Sequence, residues 1–101
     1  MEYGLFPQKT RPMKQILEAE AEFFDRVWYD RHQVLLHLEH EGKTKTAPDI
    51  MKGARRAARK VEAKYSKKNL GPYSDFDWGV INGKLSALRW VLGDDWDMLD
   101  T

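Results

Sequence analysis

Residues 75–92 read DFDWGVINGKLSALRWVL, and the apolar positions in this stretch decide the expected fold. Two stripes of apolar or small residues recur there at the three-and-four spacing of an α-helix. The first stripe consists of Trp78, Ile81, Leu85, Leu88 and Leu92. The second consists of Phe76, Val80, Gly83, Ala87, Trp90 and Val91. A helix that is apolar around most of its circumference is normally buried on several sides. We therefore expect it to be the central element, in contact with both other helices or with a second subunit.

Two more helices are expected before this stretch, because apolar residues repeat there at the same spacing. The three predicted helices span residues 12–41, 47–68 and 75–92. Gly42 and Gly93 follow the first and the third, where glycine commonly ends a helix. Residues 1–11 are expected to form an extended N-terminal arm, and the tail after Gly93 a short docked C-terminal turn. The sequence thus predicts an all-α fold, a small three-helix bundle.

Size and composition indicate one folded domain across residues 1–101. The chain is 42% hydrophobic and 33% charged, which is typical of a folded domain and not of a disordered one. It contains no cysteine, so neither a disulfide framework nor a thiolate site can form. The N-terminal residues lack the pattern of a secretory signal, and no apolar run approaches the length of a membrane span. We expect a cytoplasmic protein that does not enter a membrane.

Charge is segregated along the chain. Residues 43–68 contain ten lysines and arginines and two acidic residues, whereas the segments before and after them are acidic. The second helix is therefore a basic helix, with a candidate basic surface at Lys52, Arg55, Arg56, Arg59, Lys60 and Lys64. Such a helix can follow a phosphate backbone. It can equally be a solvated face that pairs with the acidic segments, or a surface for an acidic protein partner.

Three charged residues fall on or beside apolar stripes and are candidate buried polar residues: Glu20, Arg31 and Lys84. An unpaired buried charge is costly, so each needs a partner from another element. One interpretation is a charged pocket between helices, which an enzyme could use. The other is an ordinary ion pair such as Glu20–Lys84, or side chains that extend to solvent.

No catalytic or metal-binding constellation is visible. His37, His40 and Glu41 cluster at the end of the first helix, but they match no zinc-protease helix, and a zinc site needs three or four ligands. The serines lie outside any G-x-S-x-G elbow. We therefore predict no enzyme activity, no cofactor and no metal.

A stripe off the main apolar face of the first helix contains Tyr29, Leu36 and His40, and together with Trp90 on the third helix these residues form a candidate contact surface. Exposed apolar patches usually mark protein contacts, most simply a two-fold homodimer. Alternatively, the N-terminal arm and the C-terminal tail cover these residues. The leading interpretation is a non-catalytic helical interaction module that acts through protein–protein contact or self-association. The alternative is a nucleic-acid-binding accessory protein that uses the basic helix at residues 52–68.

Overall fold

The computed structural model describes residues 9–96. Three α-helices follow one another within them, and a short 3-10 helix separates the last two. The elements are α1 at Met13–His40, α2 at Pro48–Tyr65, the 3-10 turn at Lys67–Asn69 and α3 at Asp75–Val91. No strand occurs within residues 9–96, so the predicted all-α, three-helix class is confirmed. Most of the predicted arm, residues 1–8, and the end of the tail, residues 97–101, lie outside the described residues.

The second helix ends earlier than the sequence pattern predicts. Periodicity extended it to residue 68, whereas α2 ends at Tyr65. The reason is Ser66, whose φ of 68° is left-handed and cannot continue a right-handed helix. The chain then makes the 3-10 turn and places Leu70 in the interior, 2% exposed, the lowest value among the buried residues.

α1 is the element against which the other two helices pack. Tyr29 Oη donates a hydrogen bond to Glu62 Oε2 at 2.6 Å, and Tyr65 Oη donates to Asp25 Oδ2 at 3.1 Å. From the first pair to the second, the residue number falls from 29 to 25 on α1 and rises from 62 to 65 on α2. The two helices are therefore antiparallel. Arg26 Nη1 donates to the carbonyl oxygen of Asn69 at 2.6 Å, which fastens the 3-10 turn to the same helix.

α3 packs against the middle and N-terminal part of α1. Arg89 Nε lies 3.4 Å from Glu20 Oε1, and Lys84 Nζ lies 5.5 Å from the centre of the Phe23 ring. No Cα atom of α2 lies within 8 Å of a Cα atom of α3. The prediction that the third helix is central was therefore wrong: α1 occupies that place, because α2 and α3 pack along different stretches of it.

The interior is small and the molecule is elongated. Its principal extents are 58 × 29 × 25 Å and its radius of gyration is 16.9 Å, against about 13 Å for a compact chain of this length. Tyr29, Ala58, Val61 and Leu70 form the main buried cluster. By contrast, ten large hydrophobic side chains among residues 9–96 are exposed. One chain thus covers only part of its own apolar surface.

The C-terminal end of α3 turns back on the helix. Gly93 has a φ of 110°, which favours glycine, and its N–H donates to the Trp90 carbonyl oxygen at 3.0 Å. The N–H of Asp94 donates to the Arg89 carbonyl oxygen at 2.9 Å. Trp96 then stacks on Trp90, with 5.2 Å between ring centroids and 11° between ring planes. In its described part, the predicted docked turn is present.

Candidate interaction surfaces

α3 presents apolar residues on two opposite sides, and only one side is covered. At ~100° per residue, Leu85 lies about 180° from Phe76 around the helix. Leu85 faces α1 and is 5% exposed, whereas Phe76 is 78% exposed. All members of the second stripe are exposed, and we call them the outer stripe: Phe76, Val80, Gly83, Ala87, Trp90 and Val91. The sequence predicted the stripe, and its six members stay exposed within residues 9–96, although Trp96 stacks on Trp90 at one end.

The outer stripe and the stacked Trp96 together expose a continuous apolar patch at one side of α3. Phe76 is 78% exposed, and Trp90 and the stacked Trp96 are each 50% exposed. At 150–250 Å² for a fully buried aromatic side chain, these three residues leave about 400 Å² of aromatic surface in water. That falls within the ~300–600 Å² of the largest apolar patch on a typical monomer, before the aliphatic members are added.

The predicted contact residues fall in different environments. Trp90 belongs to the outer stripe, Leu36 is half-buried on α1 and His40 is exposed at the end of α1. Tyr29 is 3% exposed, so its assignment to a contact surface was wrong. It lies on the side of α1 that packs against α2. Burial and the hydrogen bond to Glu62 raise the pKa of its hydroxyl to about 12.

The three predicted buried charges do not form one pocket. Glu20 is half-buried and pairs with Arg89, not with Lys84. Lys84 is exposed and lies over the Phe23 ring. Arg31 is exposed too, so the prediction of Lys84 and Arg31 as buried residues was wrong. Arg31 and Lys84 are long side chains whose charged ends reach solvent. This is the alternative to a buried pocket that the sequence left open.

An open groove of about 630 Å³ separates α1 from α3 near the C-terminal turn. Its walls combine aromatic rings with two arginines and include Phe24, Trp28, Arg31, Arg89 and Trp96. Arg89 also lies over the Phe24 ring, with 5.6 Å between the guanidinium carbon and the ring centroid. The groove lining contains one serine, Ser86, and no histidine, so it offers no pairing of a nucleophile with a histidine base.

Among residues 9–96, His32 is the only buried histidine. It is 5% exposed and stacks on Trp28, with 5.1 Å between ring centroids. Burial lowers the pKa of His32 below its ordinary value of 6.5, and the positive charge of Arg55 acts in the same direction. The imidazole is therefore neutral in the folded protein at neutral pH.

This lowered pKa makes the folded state less stable in mild acid. As the pH falls from about 7.5 to about 5.5, the unfolded chain takes up the His32 proton before the folded chain does, so the free energy of unfolding falls. Burial raises the pKa of Asp30, and that group acts in the opposite direction. We expect His32→Phe, which keeps a ring beside Trp28, to lose less stability over this interval in urea titrations. An equal loss in both proteins would contradict this account.

The predicted basic surface lies on the outer side of α2. All six residues are exposed: Lys52, Arg55, Arg56, Arg59, Lys60 and Lys64. At ~100° per residue, Arg56 and Lys60 each lie about 160° from the buried Ala58. No carboxylate among residues 9–96 forms an ion pair with any of the six. Among residues 9–96 the surface is therefore solvated and makes no close ion pair with the acidic part of helix 1, and the acidic tail at 97–101 lies outside the described residues.

Three carboxylates on or beside α2 accept hydrogen bonds from groups other than the basic side chains. Asp25 accepts a hydrogen bond from Tyr65, and Glu62 accepts one from Tyr29. Glu39 accepts from the backbone N–H of Thr46. A groove of about 370 Å³ opens on the basic side and is lined by Thr46, Pro48, Met51, Lys52, Arg55, Arg56 and Arg59.

The described residues contain no cluster of three or more potential metal ligands. His37 Nε2 lies 2.9 Å from Glu41 Oε1, which makes a local pair on an exposed helix end. No helix within residues 9–96 combines the length and apolarity that crossing a membrane requires. Comparison of the chain with known proteins finds no matching family model, no similar curated protein and no similar solved structure.

Proposed function

We propose that this protein is a non-catalytic, cytoplasmic helical module that self-associates through the outer stripe of α3. The observation that carries the proposal is the pair of opposite apolar sides on α3, of which one packs on α1 and the other is exposed over the full helix. Burial of such an apolar surface against a second one is favourable, and exposed patches of this kind usually mark protein contacts. The absence of cysteine fits a reducing compartment.

A second copy of the same stripe is the occupant that the residue sizes favour. The bulky residues lie at the two ends of the stripe, Phe76 at one end and Trp90 with Val91 at the other. Gly83 lies at the centre, and a Cβ placed on it would have no atom of the chain within 4 Å. Two antiparallel copies that cross at Gly83 place Phe76 of each against the Trp90 end of the other. A two-fold contact requires this kind of self-complementary patch.

Charge also favours the antiparallel orientation. The first turn of α3 carries Asp75 and Asp77, whereas its last turn, whose Arg89 pairs with Glu20 of α1, carries no carboxylate. A parallel pair would place four carboxylates side by side at one end. In an antiparallel pair, the acidic first turn of each helix lies beside the last turn of the other, and the helix dipoles oppose one another favourably.

Sedimentation equilibrium tests the proposal. At about 100 μM, where a micromolar association is nearly saturated, the protein should have twice the 11.9 kDa mass of one chain. Phe76→Glu should give the single-chain mass, because the new charge would be buried unpaired in the interface. Val34→Glu is the matched control, since Val34 is also exposed but lies on α1. A wild-type protein that stays monomeric, or equal effects of both substitutions, would refute the proposal.

Disulfide cross-linking tests the orientation, because the chain has no cysteine of its own. Gly83→Cys places the thiols of two antiparallel copies next to the symmetry axis, within the distance that a disulfide spans. Phe76→Cys places them about 22 Å apart at 1.5 Å per residue. We expect rapid oxidation to a dimer for the first variant only. Rapid oxidation of the second would indicate parallel helices.

A further inference from the structure

The basic surface of α2 forms a broad strip that covers about half of the helix circumference, since Arg55 and Lys64 lie about 180° apart at ~100° per residue. Its first and last members, Lys52 and Lys64, are twelve residues apart, which at 1.5 Å per residue is about 18 Å. The only acidic residue between them, Glu62, is half-buried and bound by the Tyr29 hydroxyl. Six cations therefore face solvent along one side of a helix with no intervening exposed carboxylate.

The remaining surface of α2 decides which polyanion fits. An amphipathic helix enters a membrane interface through its apolar face. In α2 that face contains Met51, Ala58 and Val61, which are buried in the packed molecule and unavailable to lipid. The strip also lacks aromatic residues, whereas binding of single strands relies on stacking of bases on aromatic side chains. Regularly spaced phosphates on a rigid duplex match these features better than lipid or single-stranded nucleic acid does.

We propose that the basic surface of α2 binds the sugar–phosphate backbone of double-stranded nucleic acid without sequence preference. Arg55, Arg56 and Arg59 lie in the middle of the strip and, with Lys52, line the 370 Å³ groove, where a phosphate group can contact more than one cation. The binding is electrostatic and depends on release of counterions from the duplex. It does not depend on self-association, because the outer stripe belongs to α3.

Fluorescence anisotropy with two labelled DNA duplexes of unrelated sequence tests this proposal. Both duplexes should bind with similar affinity, since no base is read. With five or six phosphate contacts, the logarithm of the binding constant should fall with the logarithm of the salt concentration with a slope of about −5. Affinity should therefore drop about 1000-fold between about 50 and about 200 mM salt. No binding even at the lower salt concentration would overturn the proposal.

Three variants identify the site. Replacing Arg55, Arg56 and Arg59 together with glutamine should reduce the salt slope by about 3 and weaken binding about 100-fold at low salt. All three residues are exposed, and glutamine is a good helix former, so the helix should persist. The same positions changed to lysine should keep most of the binding. Replacing Lys9, Arg11 and Lys14 with glutamine removes equal charge from another exposed part of the chain and should have little effect.

Each remaining outcome also decides the question. If the control triple variant weakens binding as much as the α2 triple variant, net charge and not the strip is responsible, and the proposal fails. If the glutamine variant unfolds, the lysine variant carries the test, because loss of its binding despite a preserved fold would contradict a charge-based contact. Tighter binding to a single strand than to the duplex would overturn the assignment. So would binding to mixed phosphatidylserine and phosphatidylcholine vesicles without duplex binding.

Discussion

Replacing Leu70 with alanine should lower the free energy of unfolding by about 2–5 kcal/mol, although Leu70 lies in a connection and not in an α-helix. Its side chain is 2% exposed and packs with Tyr29, Ala58 and Val61. Removal of the side chain leaves a cavity where α1, α2 and the connection meet. At about 4–8 °C per kcal/mol for a domain of this size, the melting temperature should fall by at least about 8 °C.

Two control variants distinguish the effect of burial on stability from the effect of removing apolar atoms at any position. Ile50→Ala removes a similar group from a side chain that is 63% exposed, so its effect should stay within about 0.5 kcal/mol. Leu70→Met roughly conserves volume and should cost less than about 1.5 kcal/mol. Thermal unfolding followed by far-UV circular dichroism, at one fixed protein concentration, measures all three variants. Similar melting temperatures for Leu70→Ala and Ile50→Ala would contradict the assignment of Leu70 to the interior.

Leu70 also shows where sequence reasoning stops. The helices could be predicted because apolar residues repeat along them, and periodicity is visible in one dimension. A single leucine between a helix end and Gly71-Pro72 has no periodic neighbours. It becomes buried only because Ser66 ends α2 and the 3-10 turn redirects the chain. Tertiary packing, and not local pattern, thus determined this position.

Helical periodicity predicted both stripes of α3 but not their neighbours. The angular position of each residue around a helix identifies which residues share a side, and it places Phe76 and Leu85 on different sides. It does not indicate whether a given side contacts another helix, a second copy of the chain or water. The same limit applies to Glu20, whose partner is Arg89 and not Lys84. Pairing depends on the rotation of two helices about their axes, which the sequence of either one leaves open.

The arrangement around α1 explains how one small chain can carry two surfaces. α2 packs along one part of α1 and keeps its basic side outward, while α3 packs along another part and keeps its outer stripe outward. Because no Cα atom of α2 lies within 8 Å of a Cα atom of α3, each helix retains a free side opposite its contact with α1. A compact bundle with mutual contacts would have hidden part of both surfaces.

The same arrangement predicts that the two halves of the molecule can be separated by single substitutions. Leu85 is the one buried residue of α3, so Leu85→Asp places a charge at its main contact with α1. A buried, unpaired carboxylate is among the changes that cost more than about 4 kcal/mol. We expect α3 to detach while α1 and α2 stay packed through Tyr29 and Leu70. Hydrogen exchange should then lose its protection at Asp75–Val91 and keep it at Pro48–Tyr65.

Val61→Asp is the reciprocal variant, since Val61 is buried between α2 and α1. It should abolish protection in α2 and in the 3-10 turn while α3 keeps its contact with the middle and N-terminal part of α1. This exchange of protected regions follows from the lack of close Cα approach between α2 and α3, which leaves α1 as the helix that couples them. If either variant instead loses protection in all three helices, the molecule unfolds as one cooperative unit. The α1–α2 and α1–α3 contacts would then be energetically dependent on each other.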